Sequence, residues 1–220
     1  STGTLVPPKG YLNRLREICD KYDILLIFDE VITGWGRTGS SFAAKEYGVT
    51  PDLMTMAKAT TNGIVPMGVV AVKEEIYDTI VNATPDGVIE LFHGYTYSGI
   101  PVAVAAALAV QDIIEKEDIF NRAKNLSSYF LDGLFSLKDI ECVENIRGYG
   151  MMGGIDIKKS DRPGKAGFQT YKACYEVGVN FKATGDCLII APPFICEKKH
   201  IDEIINKLRD GISAYSKSIK

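Results

Sequence analysis

Cysteine and histidine are scarce in this 220-residue chain: five cysteines (Cys19, Cys142, Cys174, Cys187, Cys196) and two histidines. The cysteines form no CxxC pair, and an odd, scattered set argues against a zinc site or a disulfide framework. It fits a reducing cytoplasm. No apolar run approaches the ~20 residues that a membrane-spanning helix needs. No basic-then-apolar leader opens the chain, so export is not expected. Blocks of like charge are missing as well, and the formal net charge is only -3. Nucleic acid and anionic membrane are therefore not expected as partners. Repeats and low-complexity segments are absent. What remains is an ordinary globular composition, 46% hydrophobic and 24% charged, enough for one large domain or two small ones.

Gly3 and Pro7-Pro8 make the opening residues 1–10 a loop. Tyr11, Leu12, Leu15, Ile18, Cys19 and Tyr22 then recur at helical spacing. The continuous apolar run Ile24–Phe28 predicts a parallel strand buried on both faces. Asp29-Glu30 and the glycine-rich Thr33–Gly39 follow it. A short helix over Ser41–Tyr47 closed by Gly48, strands over Leu53–Ala57 and Val69–Val72, and a helix over Lys73–Val81 come next. This alternation predicts an α/β layer with a mostly parallel sheet.

Asn82–Gly99 reads as a long loop, a kind of segment that in compact domains serves function or moves. Pro101 suits the first turn of the apolar helix that continues through Val110. Leu126, Phe130, Leu134 and Leu137 mark another helix. Beyond about residue 137 the pattern predicts a small α+β lobe. Its strands fall at Cys142–Ile146, Met151–Ile157, Val179–Phe181 and Leu188–Ala191, and its helices near Phe168–Val177 and Lys198–Tyr215. The division expected is 1–110 for the first domain and 111–220 for the second.

Two residues stand out chemically. Lys58 sits where the apolar run of its strand gives out, beside a turn containing Gly63 and Pro66-Met67-Gly68. An amine with an apolar approach loses solvation, which lowers its pKa and frees it to form a Schiff base with an aldehyde. Asp29 falls at the carboxyl end of a predicted strand, where open α/β sheets present ligand sites. A carboxylate there needs a cationic companion, and a protonated heterocycle nitrogen is one candidate. Each residue alone also fits a plainer role, as a strand-end lysine in water or a turn aspartate. The glycine-rich TGWGRTG lacks both the Walker lysine and the dinucleotide spacing, so it says little about phosphate. Together, a lysine and an aspartate at the ends of two strands of one sheet suit pyridoxal phosphate.

The segments FDEVITGWGRTG, MAKATTNGIVPMG, HGYTYSGIPVAVAAALA, IRGYGMMGGIDI and GDCLIIAPP resemble successive motifs of the class III pyridoxal-phosphate aminotransferases, in order and spacing. The closest flavour is the ω-amino acid:pyruvate transaminase group. The resemblance implies part of a fold type I large domain with a mostly parallel sheet, followed by a small α+β C-terminal domain. It also implies a homodimer with shared active sites, acting on an amine or amino acid and a keto acid, with pyridoxal phosphate as cofactor and no metal. Lys58 matches the lysine that carries the cofactor and shuttles a proton, and Asp29 the aspartate paired with the ring nitrogen. Val31 matches the aliphatic residue packed on one ring face, with Glu30 behind it. Thr96 matches the threonine that reaches the phosphate of the partner subunit's cofactor; His93 reads as structural. Lys182 stands where amine:pyruvate members often have an arginine for the substrate carboxylate. A lysine offers a point charge rather than a fork, which implies looser carboxylate recognition or an amine substrate without one; a solvent-facing strand lysine is equally consistent. Family members are longer on the N-terminal side, where the phosphate cup and the second ring-stacking residue are expected.

Two other readings stay open. One keeps the cofactor but changes the reaction, to an aminomutase, racemase or decarboxylase. The other is a truncated, non-catalytic module that folds and dimerises through the 101–110 helix and the 92–99 loop.

Overall fold

The computed structural model describes residues 3–219. The chain divides into two compact units: an N-proximal one of Lys9–Gly36 and Ser40–Asp118, and a C-terminal one of residues 3–8, Arg37–Gly39 and 119–219. Residues 1, 2 and 220, within the predicted opening loop and the second expected domain, lie outside the described residues. Among the described residues no helix is long and apolar enough to cross a membrane.

The N-proximal unit starts with α1 (Tyr11–Lys21), set off by Gly10 in the left-handed region at φ 83°. Its end is closed by Tyr22 N–H donating to the Ile18 carbonyl and Ile24 N–H to that of Cys19. That closure consumes the start of the apolar run, so β1 occupies Ile27–Asp29 rather than Ile24–Phe28. β2 (Leu53–Met56) pairs with it in parallel, Ile27 opposite Leu53 and Asp29 opposite Thr55. β3 (Val69–Val72) joins β2 antiparallel, giving the order β1-β2-β3. The short helix α2 (Ala43–Tyr47), α3 (Glu74–Asn82) and α4 (Pro101–Lys116, with proline in the first turn) complete the unit.

Asp52 pins the sheet at the amino end of β2. Its carboxylate accepts from Leu26 N–H at 2.6 Å and meets Arg16 at 2.7 Å and Lys73 at 2.6 Å. Those donors hold it well below the ordinary carboxylate range, the Leu26 N–H most strongly. The burial expected for β1 is not found. Ile24, Leu25 and Ile27 are all more than half exposed. Apart from Pro51 and the glycines Gly34 and Gly36, only Leu26, Val49, Met56 and Ala103 are buried apolar residues among the described residues of this unit.

The C-terminal unit has a closed core. Its sheet runs β4-β5-β7-β6 and is antiparallel throughout, from β4 (Val143–Tyr149), β5 (Met152–Ile157), β6 (Lys182–Thr184) and β7 (Cys187–Ile190). Helices α5 (Ile119–Phe135), α6 (Lys165–Glu176) and α7 (Lys198–Ser218) pack with it around Phe130, Leu134, Ile155, Leu188, Leu208 and Ile212. The strand expected at Val179–Phe181 is displaced to β6. Val179 N–H closes α6 on the Cys174 carbonyl after Gly178 turns the chain at φ 85°, so pairing begins only at Lys182.

Asp186 caps the start of α6, accepting from Gly164 N–H at 3.1 Å and Gly167 N–H at 3.0 Å. Arg37 is buried among backbone carbonyls, donating to Met151 at 3.0 Å and Pro192 at 2.6 Å and stacking 4.3 Å from the Phe194 ring. Burial pushes its guanidinium down to about 10, still charged at neutral pH.

Candidate active site

Parallel pairing of β1 and β2 sets the geometry, because it brings the carboxyl ends of the two strands to the same end of one sheet. Asp29 closes β1 and lies opposite Thr55; Lys58 comes three residues later, after β2 ends at Met56. Glu30 N–H donates to the Thr55 carbonyl at 2.9 Å and carries the ladder one step further. The Asp29 carboxylate accepts from Val31 N–H at 3.0 Å, a turn that fixes the aspartate at the strand end and sets the half-buried Val31 beside it.

Lys58 opens a 3-10 turn, Lys58–Thr60, with φ at +47°. A non-glycine residue in the left-handed region costs about 1–3 kcal/mol and persists only where its surroundings over-determine it. Here they do. The carbonyls on either side of the strained residue are engaged. That of Ala57 accepts from Thr60 N–H and Thr60 Oγ1, each at 3.0 Å, and that of Lys58 accepts from Gly63 N–H at 3.1 Å. Thr61 Oγ1 donates to the Val65 carbonyl at 2.6 Å and closes the turn from outside. The apolar cover expected for the amine is not supplied by these residues: Met56 is buried, but Lys58 itself is exposed.

Two side-chain arrangements at this end of the sheet escaped the reading of the sequence. Glu30 is 1% exposed and accepts from Thr33 Oγ1 at 2.5 Å, Ala43 N–H at 3.0 Å and Ala44 N–H at 2.7 Å. It therefore caps α2, whose own N-cap residue Phe42 has no capping side chain. The signal available was that apolar N-cap, which leaves the first N–H groups of the helix in need of an acceptor from elsewhere. The second arrangement is the indole of Trp35, which donates to Thr60 Oγ1 at 3.0 Å. Its ring packs edge-on against Phe42 with centroids 5.0 Å apart.

Asp29, Val31 and Lys58 thus meet at one end of one sheet. Thr96 is exposed on the segment between α3 and α4 of the same unit, where His93 stacks edge-on against Tyr95 at 5.0 Å. Lys182 opens β6 of the other unit, opposite Ile189, and is exposed.

Fold and site place the chain among mixed α/β proteins that present a lysine and a carboxylate at adjacent parallel strand ends. The sequence model of the aminotransferase class-III family matches residues 1–212, and the chain belongs to that family. It is 48% identical over 210 residues to an omega-aminotransferase of Caulobacter vibrioides, covering 95% of this chain and 48% of that protein. Over 223 residues it is 44% identical to the omega-amino acid–pyruvate aminotransferase of Pseudomonas putida, covering 96% and 49% respectively. A solved transaminase structure with L-ala superposes at TM-score 0.92 and 31% identity, covering 99% of this chain and 53% of that one. The chain therefore spans about half the length of the curated relatives it matches. The expected fold class, an α/β part of a fold type I transaminase, is borne out.

Proposed function

We propose that the protein transfers an amino group from an ω-amino acid or primary amine to a keto acid, pyruvate, with pyridoxal phosphate as cofactor. The observation that carries the reading is the placement of Lys58 and Asp29 at neighbouring ends of β1 and β2. The relatives named for ω-amino acid and pyruvate transamination support the substrates, and the L-ala of the structural neighbour is the amino acid made from pyruvate.

The residues present suit the cofactor chemically: a primary amine (Lys58), a carboxylate fixed at a strand end (Asp29) and an aliphatic side chain beside it (Val31) stand at the same end of one sheet. When bound, pyridoxal phosphate supplies an electron sink for the substrate's Cα electrons. Lys58 Nζ would hold the cofactor covalently and would be the amine that moves the proton of the substrate Cα. Asp29 would keep a proton on the ring nitrogen, and Val31 would pack against the ring. Thr96 Oγ1 offers a hydroxyl to the phosphate held by a partner subunit in a homodimer with shared sites. Lys182 Nζ offers a point charge to a substrate carboxylate. The assignment of 1–110 to the cofactor-binding domain and 111–220 to the small domain belongs to the same proposal. So does the cytoplasm as location, in keeping with five free cysteines.

The test is an absorption spectrum of the purified protein with pyridoxal phosphate, before and after borohydride, with Lys58→Ala alongside, followed by assay for alanine from pyruvate. A visible band that borohydride fixes to the Lys58 peptide is expected, as is complete loss of alanine formation in the variant. A Lys58→Ala protein that still made alanine from pyruvate with no amine added to stand in for the lysine would overturn the reading. Asp29→Ala is expected to keep the band but slow turnover by at least about 100-fold, the range of one general acid–base group.

A further inference from the structure

We propose that Trp35 and Thr60 form a latch that positions Lys58, a role resting on the reading of Lys58 as the cofactor-bearing lysine. Three non-glycine residues of the two facing segments hold positive φ: Trp35 at 64°, Lys58 at 47° and Asn62 at 51°. Such strain clusters where the surrounding structure fixes a conformation for use. One hydroxyl joins the two segments. Thr60 Oγ1 accepts the Trp35 indole N–H at 3.0 Å and spends its own proton on the Ala57 carbonyl, also at 3.0 Å. Ala57 precedes Lys58, so the chain Trp35–Thr60–Ala57 fixes the peptide from which the lysine departs.

Trp35, half-buried, is itself held by its neighbours. Its N–H donates to the Ser41 carbonyl at 2.6 Å, Gly34 N–H donates to that of Glu30 at 2.9 Å, and the ring rests on Phe42. Behind these stands the buried Glu30, which caps the helix that Phe42 begins. Thr60 is 3% exposed, so the indole N–H has no water to replace it as that hydroxyl's donor. The latch is a positioning device: neither residue touches the reacting atoms through this chain of bonds.

The experiment titrates pyridoxal phosphate into the protein and its Trp35→Phe, Thr60→Val, Thr60→Ser and Lys58→Ala variants, reading visible absorbance. Trp35→Phe keeps the ring on Phe42 and removes only the N–H. It and Thr60→Val are each expected to weaken binding about fivefold to tenfold, the scale of one buried hydrogen bond. The double variant should be no worse than either single one, since both remove the same bond. Thr60→Ser keeps the hydroxyl and restores wild-type binding, which packing alone does not explain. Trp35 is the one tryptophan in the chain, so its emission without cofactor reports the bond directly; Thr60→Val shifts the emission maximum and Thr60→Ser leaves it. Should Thr60→Val fail to fold, Trp35→Phe and Thr60→Ser still decide the matter. Unchanged affinity in Trp35→Phe, with the band lost in Lys58→Ala, overturns the latch and leaves the transaminase reading standing. A band that survives in Lys58→Ala overturns that reading itself, whatever the emission shows.

Discussion

Asp52 and Lys58 occupy opposite ends of β2, and the two ends carry different duties. Asp52 is held by a backbone N–H and two cations, and its donors depress its pKa below the ordinary 3.8. A carboxylate whose folded value lies below its unfolded value contributes stability that is complete above about pH 4 and is lost as pH falls toward the folded value. Unfolding of the N-proximal unit by urea, followed through Trp35 emission, should therefore hold a constant midpoint from neutral pH down to about pH 5 and fall steeply below about pH 4. Asp52→Asn should be less stable at neutral pH by on the order of 2 kcal/mol, the scale of hydrogen bonds to a charged group. Lys73, whose side chain is 40% exposed, adds a screened share only. In the variant the midpoint should be nearly flat across the acid range. An acid limb that survived there would assign the loss of stability to another carboxylate. Glu30 illustrates how such anchoring hides in a sequence. Its partners Ala43 and Ala44 lie 13 and 14 residues on, a separation with no helical or strand period. Asp29 and Lys58 were legible because a strand end announces itself locally, by an apolar run that stops.

At the scale of elements, α6 and α7 meet through a glycine. A Cβ at Gly211 of α7 would lie 2.6 Å from the Cys174 Cα of α6 and 2.8 Å from its backbone N. Two effects then oppose one another in Gly211→Ala. Alanine is the better helix former by about 1 kcal/mol. Overpacking against helix backbone, which cannot rotate aside as a side chain can, costs typically 1–3 kcal/mol. The clash is with main chain and both residues are buried, so the second effect wins. The thermal midpoint of the C-terminal unit should fall, and a rise would show that the helices can part at little cost.

The elements themselves were largely readable. β3 falls where the apolar run predicts it, α4 starts at Pro101 and α2 ends at Gly48 in the left-handed conformation at φ 64°. The displaced ones, β1 and β6, share a cause. In each, the preceding helix closes by taking the next residues into its own C-terminal hydrogen bonds, Ile24 onto Cys19 and Val179 onto Cys174. An apolar pattern marks residues suited to a strand, but it does not tell which of them a helix end has already claimed.

Over the whole molecule the two units differ in how much they bury. The C-terminal unit gathers Phe130, Leu134, Leu137, Met151, Ile155, Leu188, Leu208 and Ile212, each fully buried, around a four-stranded sheet closed by three helices. The N-proximal unit leaves Leu108 of α4 63% exposed and Val70 of β3 62%, and its sheet has three strands. Protection of an amide follows the free energy of the opening that frees it, and that energy rises with buried apolar contact. Amide hydrogen exchange in the 220-residue chain should therefore resolve two classes. Amides of β4, β5, β7 and α7 should exchange slowest, near the global opening limit. Those of β1, β2 and β3 should exchange at least about tenfold faster, since a difference of 1.4 kcal/mol in opening energy already gives that ratio. At the start of α6 in the same unit, the Gly164 and Gly167 amides report the Asp186 cap, and Asp186→Ala should release them while β5 stays protected. Equal protection across both sheets would mean that the chain opens as one cooperative body, with the sparse burial of the first unit compensated by its Asp52 and Glu30 anchors. The expected order has a consequence for the candidate site: Asp29 and Lys58 stand on the less protected sheet, so local bonds such as those of Trp35, Thr60 and Glu30, rather than core burial, must hold the strand ends in register.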